Sequence, residues 1–214
     1  MTEIVQLSQH DVLIERPFTN PDHIAADRAI LQTIAHYVWQ QHHELVAAGP
    51  TQQSFLCYYP TAQCWQKRLL LIHPEQLTPG QTLTMVGFLG QRRFEATPEI
   101  AARIMAMDEQ LLLALGEAPG MVGYCSFLLV DGLNYANLVL MNSALTIDQW
   151  RQNELHQQIN RFDSPQFYAN VRIYSGLLTC HSPQLGPQVE LQRVKYWDYQ
   201  STPTWHAVRL LSTI

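Results

Sequence analysis

The residues with the most chemistry to offer lie on one short segment, Tyr168-Ala-Asn170-Val-Arg172-Ile-Tyr174. Successive side chains of a strand point to opposite faces, so Tyr168, Asn170, Arg172 and Tyr174 are expected together on one face. Tyr135 and Asn137 of a neighbouring strand are expected to join them across the sheet. An arginine among tyrosines and amides can hold a planar or anionic small molecule if something encloses that face. A solvated strand face accounts for the same pattern. His42 is the second candidate. On its helix it lies within about 40° of the Leu31, Val38, Leu45 stripe, so it is expected to point inward. A buried imidazole needs a partner for each ring nitrogen or accepts a lowered pKa. A core histidine and a ligand contact both remain open for it.

Signatures of catalysis are missing. The chain has no G-x-S-x-G, no phosphate-binding glycine loop, no H-E-x-x-H and no dinucleotide G-x-G-x-x-G. Gly87 and Gly90 read as strand kinks or bulges. Cys57, Cys64, Cys125 and Cys180 lack metal-ligand spacing, so buried thiols are expected and no metal centre is predicted. A Cys57–Cys64 disulfide would cross a short turn, which a cytoplasmic location disfavours.

These residues need elements to position them. Asn20-Pro21-Asp22 opens a helix with Ile24, Leu31, Ile34, Val38 and Leu45 on one side, and Gly49-Pro50 ends it. Short extended stretches precede it (Ile4–Leu7 and Asp11–Glu15). Ser54–Tyr59 and Arg68–His73 follow as a hairpin. From residue 82 the signals alternate regularly. An extended run (Thr82–Gln91) leads to a helix capped at Thr97-Pro98 and striped by Ile100, Ile104, Met107, Leu111 and Leu115. Two runs (Val122–Val130, Asn134–Met141) meet at Asp131-Gly132. A second helix (Thr146–Arg161) precedes a last run (Phe167–Leu178). The order is β-α-β-β-α-β, that of a ferredoxin-like unit.

The expected fold class is therefore α+β: an antiparallel ferredoxin-like sheet with helices on one face, preceded by an N-terminal helix and hairpin. A division at Pro79-Gly80 gives an N-terminal portion, 1–80, a partial copy of the same order on one reading, and a ferredoxin-like domain, 81–214. The later part continues through a strand with a bulge near Gln192-Arg193. It ends in a terminal helix or arm, packed through Trp205, Val208 and Leu211. The sheet's second face is expected to be bare, closed by a ligand, more chain or a second subunit, which predicts a homodimer.

Composition narrows the partners. Of 214 residues 47% are apolar and 14% charged, with a net charge of −5 and no basic cluster, so nucleic-acid backbones and anionic membranes are poor partners. No apolar run reaches the roughly 20 residues of a membrane span. No basic-then-apolar leader opens the chain, and a cytoplasmic protein is expected.

Trp150-Arg-Gln-Asn153-Glu-Leu-His156, followed by Ser164-Pro165, resembles the second helix of the antibiotic-biosynthesis-monooxygenase-like group of dimeric α+β barrels. The resemblance covers roughly residues 82–198. It implies a dimeric barrel and, by its haem-degrading members, His156 as an iron ligand near a tryptophan. Those members carry an asparagine on the first strand, where this chain has none. A continuous helical wheel from Ile147 places His156 about 140° from the apolar centre, on the solvent side. The late aromatics Tyr196, Trp197, Tyr199 and Trp205 could line a pocket or fasten the C-terminal segment.

The expected function is binding of an unassigned small molecule at the open sheet face through Arg172, Tyr174, Tyr168, Asn170, Asn137 and His42. An oxygenase-like enzyme, cofactor-independent or haem-linked, is the alternative, and an assembly protein the third. The sequence names no cofactor.

Overall fold

The computed structural model describes residues 4–47, 57–58, 64–129, 131 and 134–211, with residues 45, 47, 57–58 and 64–66 described for their backbone alone. Gly49, Pro50 and most of the expected strand Ser54–Tyr59 lie outside these, as do the side chains of Leu45, Cys57 and Cys64. Cys125 and Cys180 are buried.

The alternating signals after residue 80 become β4 (Thr82–Arg92), α2 (Pro98–Glu117), β5 (Met121–Leu129), β6 (Tyr135–Met141), a broken helical segment and β7 (Tyr168–Cys180). Before them come β1 (Val5–Leu7), α1 (His23–Ala47), β2 (Cys57–Tyr58) and β3 (Cys64–Leu71). After them come β8 (Pro187–Asp198) and β9 (Trp205–Leu210). Residues 11–15, expected to be extended, form no strand. Among the described residues the strands make one sheet in the order β1-β9-β8-β7-β4-β6-β5-β3-β2, antiparallel throughout except for β1 on β9. Its middle, β7-β4-β6-β5, is the ferredoxin-like strand order. β2–β3 extend it on one side as the expected hairpin, and the chain before and after residue 80 shares this sheet.

Local chemistry explains the element ends. The Thr97 hydroxyl accepts from the Ile100 amide at 3.4 Å and Pro98 takes a position whose N–H is unpaired in any helix. The bulge expected near Gln192 is present: Ser175 pairs with Arg193 and Gly176 with Leu191, so Gln192 is skipped.

Among the described residues both faces of the sheet's middle are covered. The two expected helical segments cover one side, and α1 lies across the other. There Leu31, Ile34 and Val38 share a core with Leu83, Met85, Leu138 and Leu140. Gly87 permits the approach, because a Cβ there would stand 2.5 Å from Leu31 Cδ1. It therefore marks a close contact and no kink. The apolar stripe of α1 was legible, but its destination was not: helical periodicity states that a face must be buried and leaves open against what. With α1 in place, the argument for a second subunit or a ligand on that face disappears.

A buried ion cluster fastens α1. Asp27, 2% exposed, accepts from Arg172 Nε at 2.5 Å, from Arg172 Nη2 at 2.9 Å and from the Tyr174 hydroxyl at 2.5 Å. Burial, then the Asp27 carboxylate, keeps Tyr174 protonated far above the usual phenol range.

Two further expectations are corrected. Residues 201–211 form no helix or arm: Trp205–Leu210 is a strand paired with β8 and β1. Its inward Arg209, fully buried, donates to the carbonyls of Gln9, Asp11 and Thr19, which holds the N-terminal loop. The second helix is not continuous. α3 (Ala144–Arg151) stops at Gln152, and Asn153 caps a new helix, α4 (Glu154–Gln158), by accepting from the His156 amide at 3.0 Å. A π-helical turn (Ile159–Asp163) and α5 (Ser164–Phe167) complete the segment.

Removing one partner of a buried pair strands the other charge, so Asp27→Ala should cost about 3–5 kcal/mol. Over a chain this size the melting temperature should drop on the order of 10 °C. The double variant Asp27→Leu/Arg172→Met should recover most of it. Thermal unfolding checks this, and an Asp27→Ala protein that melts with the wild type would show that the cluster does not hold α1.

Candidate functional site

The cavity lies on the side opposite α1, between the sheet and the segments α2 to α5, with a volume of about 480 Å³. Such volumes suit one ligand of moderate size. Val86 and Phe88 of β4, Asn137 and Val139 of β6 and Ile173 and Ser175 of β7 form its floor. Ile104, Leu111 and Leu115, three residues of the α2 stripe, face it from above, with Trp150 and His156 beside them.

The segment 168–174 does not keep a single face. Gln91 pairs with Asn170 but Arg92 pairs with Tyr168, so Ala169 is an extra residue and β7 bulges there. The bulge reverses the side of Tyr168. Tyr168 lines the cavity, whereas Arg172 and Tyr174 turn the other way, to Asp27 of α1. Asn170 is buried and donates to Gln91 Oε1 at 2.8 Å. Asn137 reaches the cavity with Tyr168, not the side that Arg172 occupies. Period-two alternation could not reveal this, since nothing in Phe167-Tyr168-Ala169-Asn170 announces an extra residue.

His42 is buried as its helix position predicts, yet on the α1 side, among Trp39 and His43. Burial, then the neighbouring His43, lowers its pKa, against the pull of the Pro74 carbonyl. Its Nδ1 has no hydrogen-bond partner among the described residues. Of the six residues expected to form one pocket, the structure thus brings Tyr168 and Asn137 to the cavity and keeps Arg172, Tyr174, Asn170 and His42 out of its lining.

His156 moves in the opposite direction. The wheel that set it in solvent assumed one helix from Thr146 to Arg161. The break at Gln152-Asn153 resets the phase, and the imidazole faces the cavity with its ring 5.4 Å from that of Trp150. Burial, then the Arg151 charge, lowers its pKa to about 4, so the ring is neutral near pH 7. The Asn160 amide lies 3.0 Å from Nε2. Asn153, three residues before His156 and a good capping residue, was the signal of the break.

The remaining wall is aromatic. The Tyr168 ring rests on Gly90, where a Cβ would stand 2.5 Å from its Cε1, and packs edge-on to Phe88 at 5.3 Å. Its hydroxyl has no hydrogen bond among the described residues, and burial, then Tyr135, Tyr124 and Tyr199, keeps it protonated. The buried Asn137 Oδ1 is likewise without a partner there. Trp197 and Tyr199 join the lining from β8 and its end, while Tyr196 and Trp205 pack against Phe18 instead. The charged lining residues Asp108, Arg151 and Lys195 were not singled out by sequence. Each is an isolated charge on an amphipathic element, with no motif around it. Arg68 pairs with Asp108, and Arg151 with Asp148 at 2.9 Å. Among the described residues no group of three or more His, Cys, Asp or Glu could hold a metal ion. No helix among them is long and apolar enough to cross a membrane.

No family model matches the chain and no curated protein matches it in sequence. Among solved structures, a protein from Shewanella oneidensis is similar over 46% of this chain and 93% of its own, at 13% identity and a TM-score of 0.37. A heme-degrading enzyme from Listeria monocytogenes is similar over 56% and 80%, at 12% identity and 0.35. A ferredoxin fold protein related to antibiotic biosynthesis monooxygenases, also from Listeria monocytogenes, is similar over 64% and 87%, at 14% identity and 0.33. These are weak likenesses of fold.

Proposed function

We propose that this chain is a small-molecule-binding protein whose ligand fills the cavity between the sheet and α2 to α5. The observation that carries the reading is the apolar, partly aromatic wall with a buried polar atom at it, Asn137 Oδ1, that has no partner among the described residues. A buried polar atom without a partner is costly, and a ligand with matching groups relieves that cost. Tyr168, Phe88, Trp150 and Trp197 favour a flat, apolar body. Binding is preferred to catalysis because no lining hydroxyl is hydrogen-bonded to a base among the described residues.

Native mass spectrometry of protein purified without denaturation tests this, since a bound molecule travels with the chain. Val139→Trp fills the cavity from its floor. It should abolish the adduct while shifting the melting temperature by only a few degrees, on the order of 1 kcal/mol. An adduct that survives in Val139→Trp, in folded protein, would place the ligand elsewhere.

A second reading, a haem-linked oxygenase-like enzyme, is favoured by His156. A neutral imidazole inside an apolar cavity of this volume, beside Trp150, fits a haem ligand, provided Nε2 exchanges the Asn160 amide for iron. Haem held there would supply an iron centre for oxygen chemistry. The chain's own part would be His156 as ligand, Trp150 as wall and Asn160 as the group that orients the ring. Haemin added to the purified protein should give a sharp, shifted Soret band that His156→Ala loses. An unchanged spectrum, or a band indifferent to that substitution, removes this reading and leaves the first intact.

The neutral ring also has a pH signature. Its pKa in the folded chain, about 4, lies below the ordinary 6.5, so below pH 6.5 the unfolded chain binds the proton first. The stability that neutral His156 provides is complete above pH 6.5 and is lost as pH falls through 4. His42 and His206, both lowered by burial, act in the same direction. Denaturant midpoints from pH 7 to 4 should therefore fall less steeply for His156→Gln than for the wild type. Parallel slopes would mean that His156 is solvated.

A further inference from the structure

Within the ligand-binding reading, the cavity's charges are not spread evenly. At one side Arg68 neutralises Asp108, and at the other β8 directs Lys195 into the lining near the end of α3. Lys195 stands opposite Ile173 in the register, and its neighbour on the same face of β8, Arg193, stands opposite Ser175. The Arg193 Nη2 donates to Ser175 Oγ at 3.4 Å. Arg151 approaches from α3 and already holds Asp148. Lys195 itself makes no hydrogen bond and no ion pair among the described residues. Three cations, Lys195, Arg151 and Arg193, therefore share this end, and Asp148 is the carboxylate that acts on them. His156, the remaining basic side chain in the lining, is neutral and adds no charge.

We propose that Lys195 is the anchor for an anionic group, and that the cavity takes a flat aromatic or polyene molecule with a carboxylate or similar acid at its β8 end. A half-buried ammonium with like charges around it is under electrostatic strain, which an incoming anion relieves. Burial, then Arg151 and Arg193, lowers its pKa, in line with that strain. The aromatic floor of Phe88, Tyr168 and Trp197 receives the flat body, and the lysine fixes which way round it enters. Lys195 and Trp197 belong to a strand outside the β4–β7 ferredoxin-like unit. The acid specificity is thus a property of this chain's extended sheet.

This inference rests on the cavity being the binding site, and its test separates the two. The probes are 1-anilinonaphthalene-8-sulfonate and N-phenyl-1-naphthylamine, which share a ring system and differ by the sulfonate. Fluorescence titration of the full chain gives an affinity for each. In the wild type the anionic probe should bind about tenfold more tightly than the neutral one, the scale of one charge-assisted hydrogen bond. In Lys195→Met, which keeps the apolar stem, that ratio should fall to about one with the neutral probe unchanged, and Lys195→Arg should restore it. If both probes lose binding in Val139→Trp but Lys195→Met leaves the ratio as it was, the anionic anchor is wrong and the cavity stands. If Val139→Trp affects neither probe, the cavity reading and the anchor fall together.

Discussion

Asp27 reaches from the second turn of α1 to Arg172 and Tyr174 on β7, and much of the rest follows from that contact. A helix laid on a sheet could slide or lift, since apolar packing has little directionality. A bidentate arginine–carboxylate pair with a phenol on the same oxygen has strong directionality. It sets α1 at one position, where Leu31 meets Gly87 and Ile34 and Val38 close over β4 and β6. The face that a ferredoxin-like unit leaves free is thereby committed to core. A cavity can then form only under α2 to α5.

That it forms at all is due to a helix that does not run straight. A continuous helix from Ala144 to Phe167 would bury one unbroken stripe against the sheet and fill the space. Here the chain stops at Gln152, restarts at Asn153 and widens into a π turn at Ile159–Asp163. Each irregularity re-aims side chains: Trp150 closes one end of the cavity, and His156 faces inward from the next piece. π turns occur often at functional sites because they shift side chains without ending the helical segment. The cost is a segment whose packing face is shorter than its length.

The order of elements was legible in the sequence, because each step from residue 82 to residue 180 carries its own punctuation. Thr97-Pro98 caps α2, Asp131 accepts from the Asn134 amide between β5 and β6, and the phase slip around Gln192 marks its bulge. The site was less legible, for three separate reasons. The Ala169 bulge moved Tyr168 to the other side of the sheet from Arg172 with no change in composition. The Asn153 cap invalidated the wheel used for His156. The partner of Arg172 lay 145 residues away, on a helix whose stripe gave no direction of docking. Local pattern reports what a residue does within its own element. Which elements meet is a tertiary fact, and it decided Arg172 and Tyr174.

The strands outside the ferredoxin-like unit then give the cavity its individuality. β7 on its own would end the floor at Ile173 and Ser175, with the bulged Tyr168 at its start. By pairing with β7 along its length, β8 adds Lys195 and Trp197, and β9 backs them with His206, whose ring lies 4.0 Å from that of Trp197. Arg209, on the opposite face of β9, ties that strand to the loop before α1 through three carbonyls. The same edge extension thus supports the roof on one face and the cavity floor on the other. A perturbation of β9 should be felt on both faces, whereas one in β2 or β3, at the far edge, should reach neither Lys195 nor Asp27.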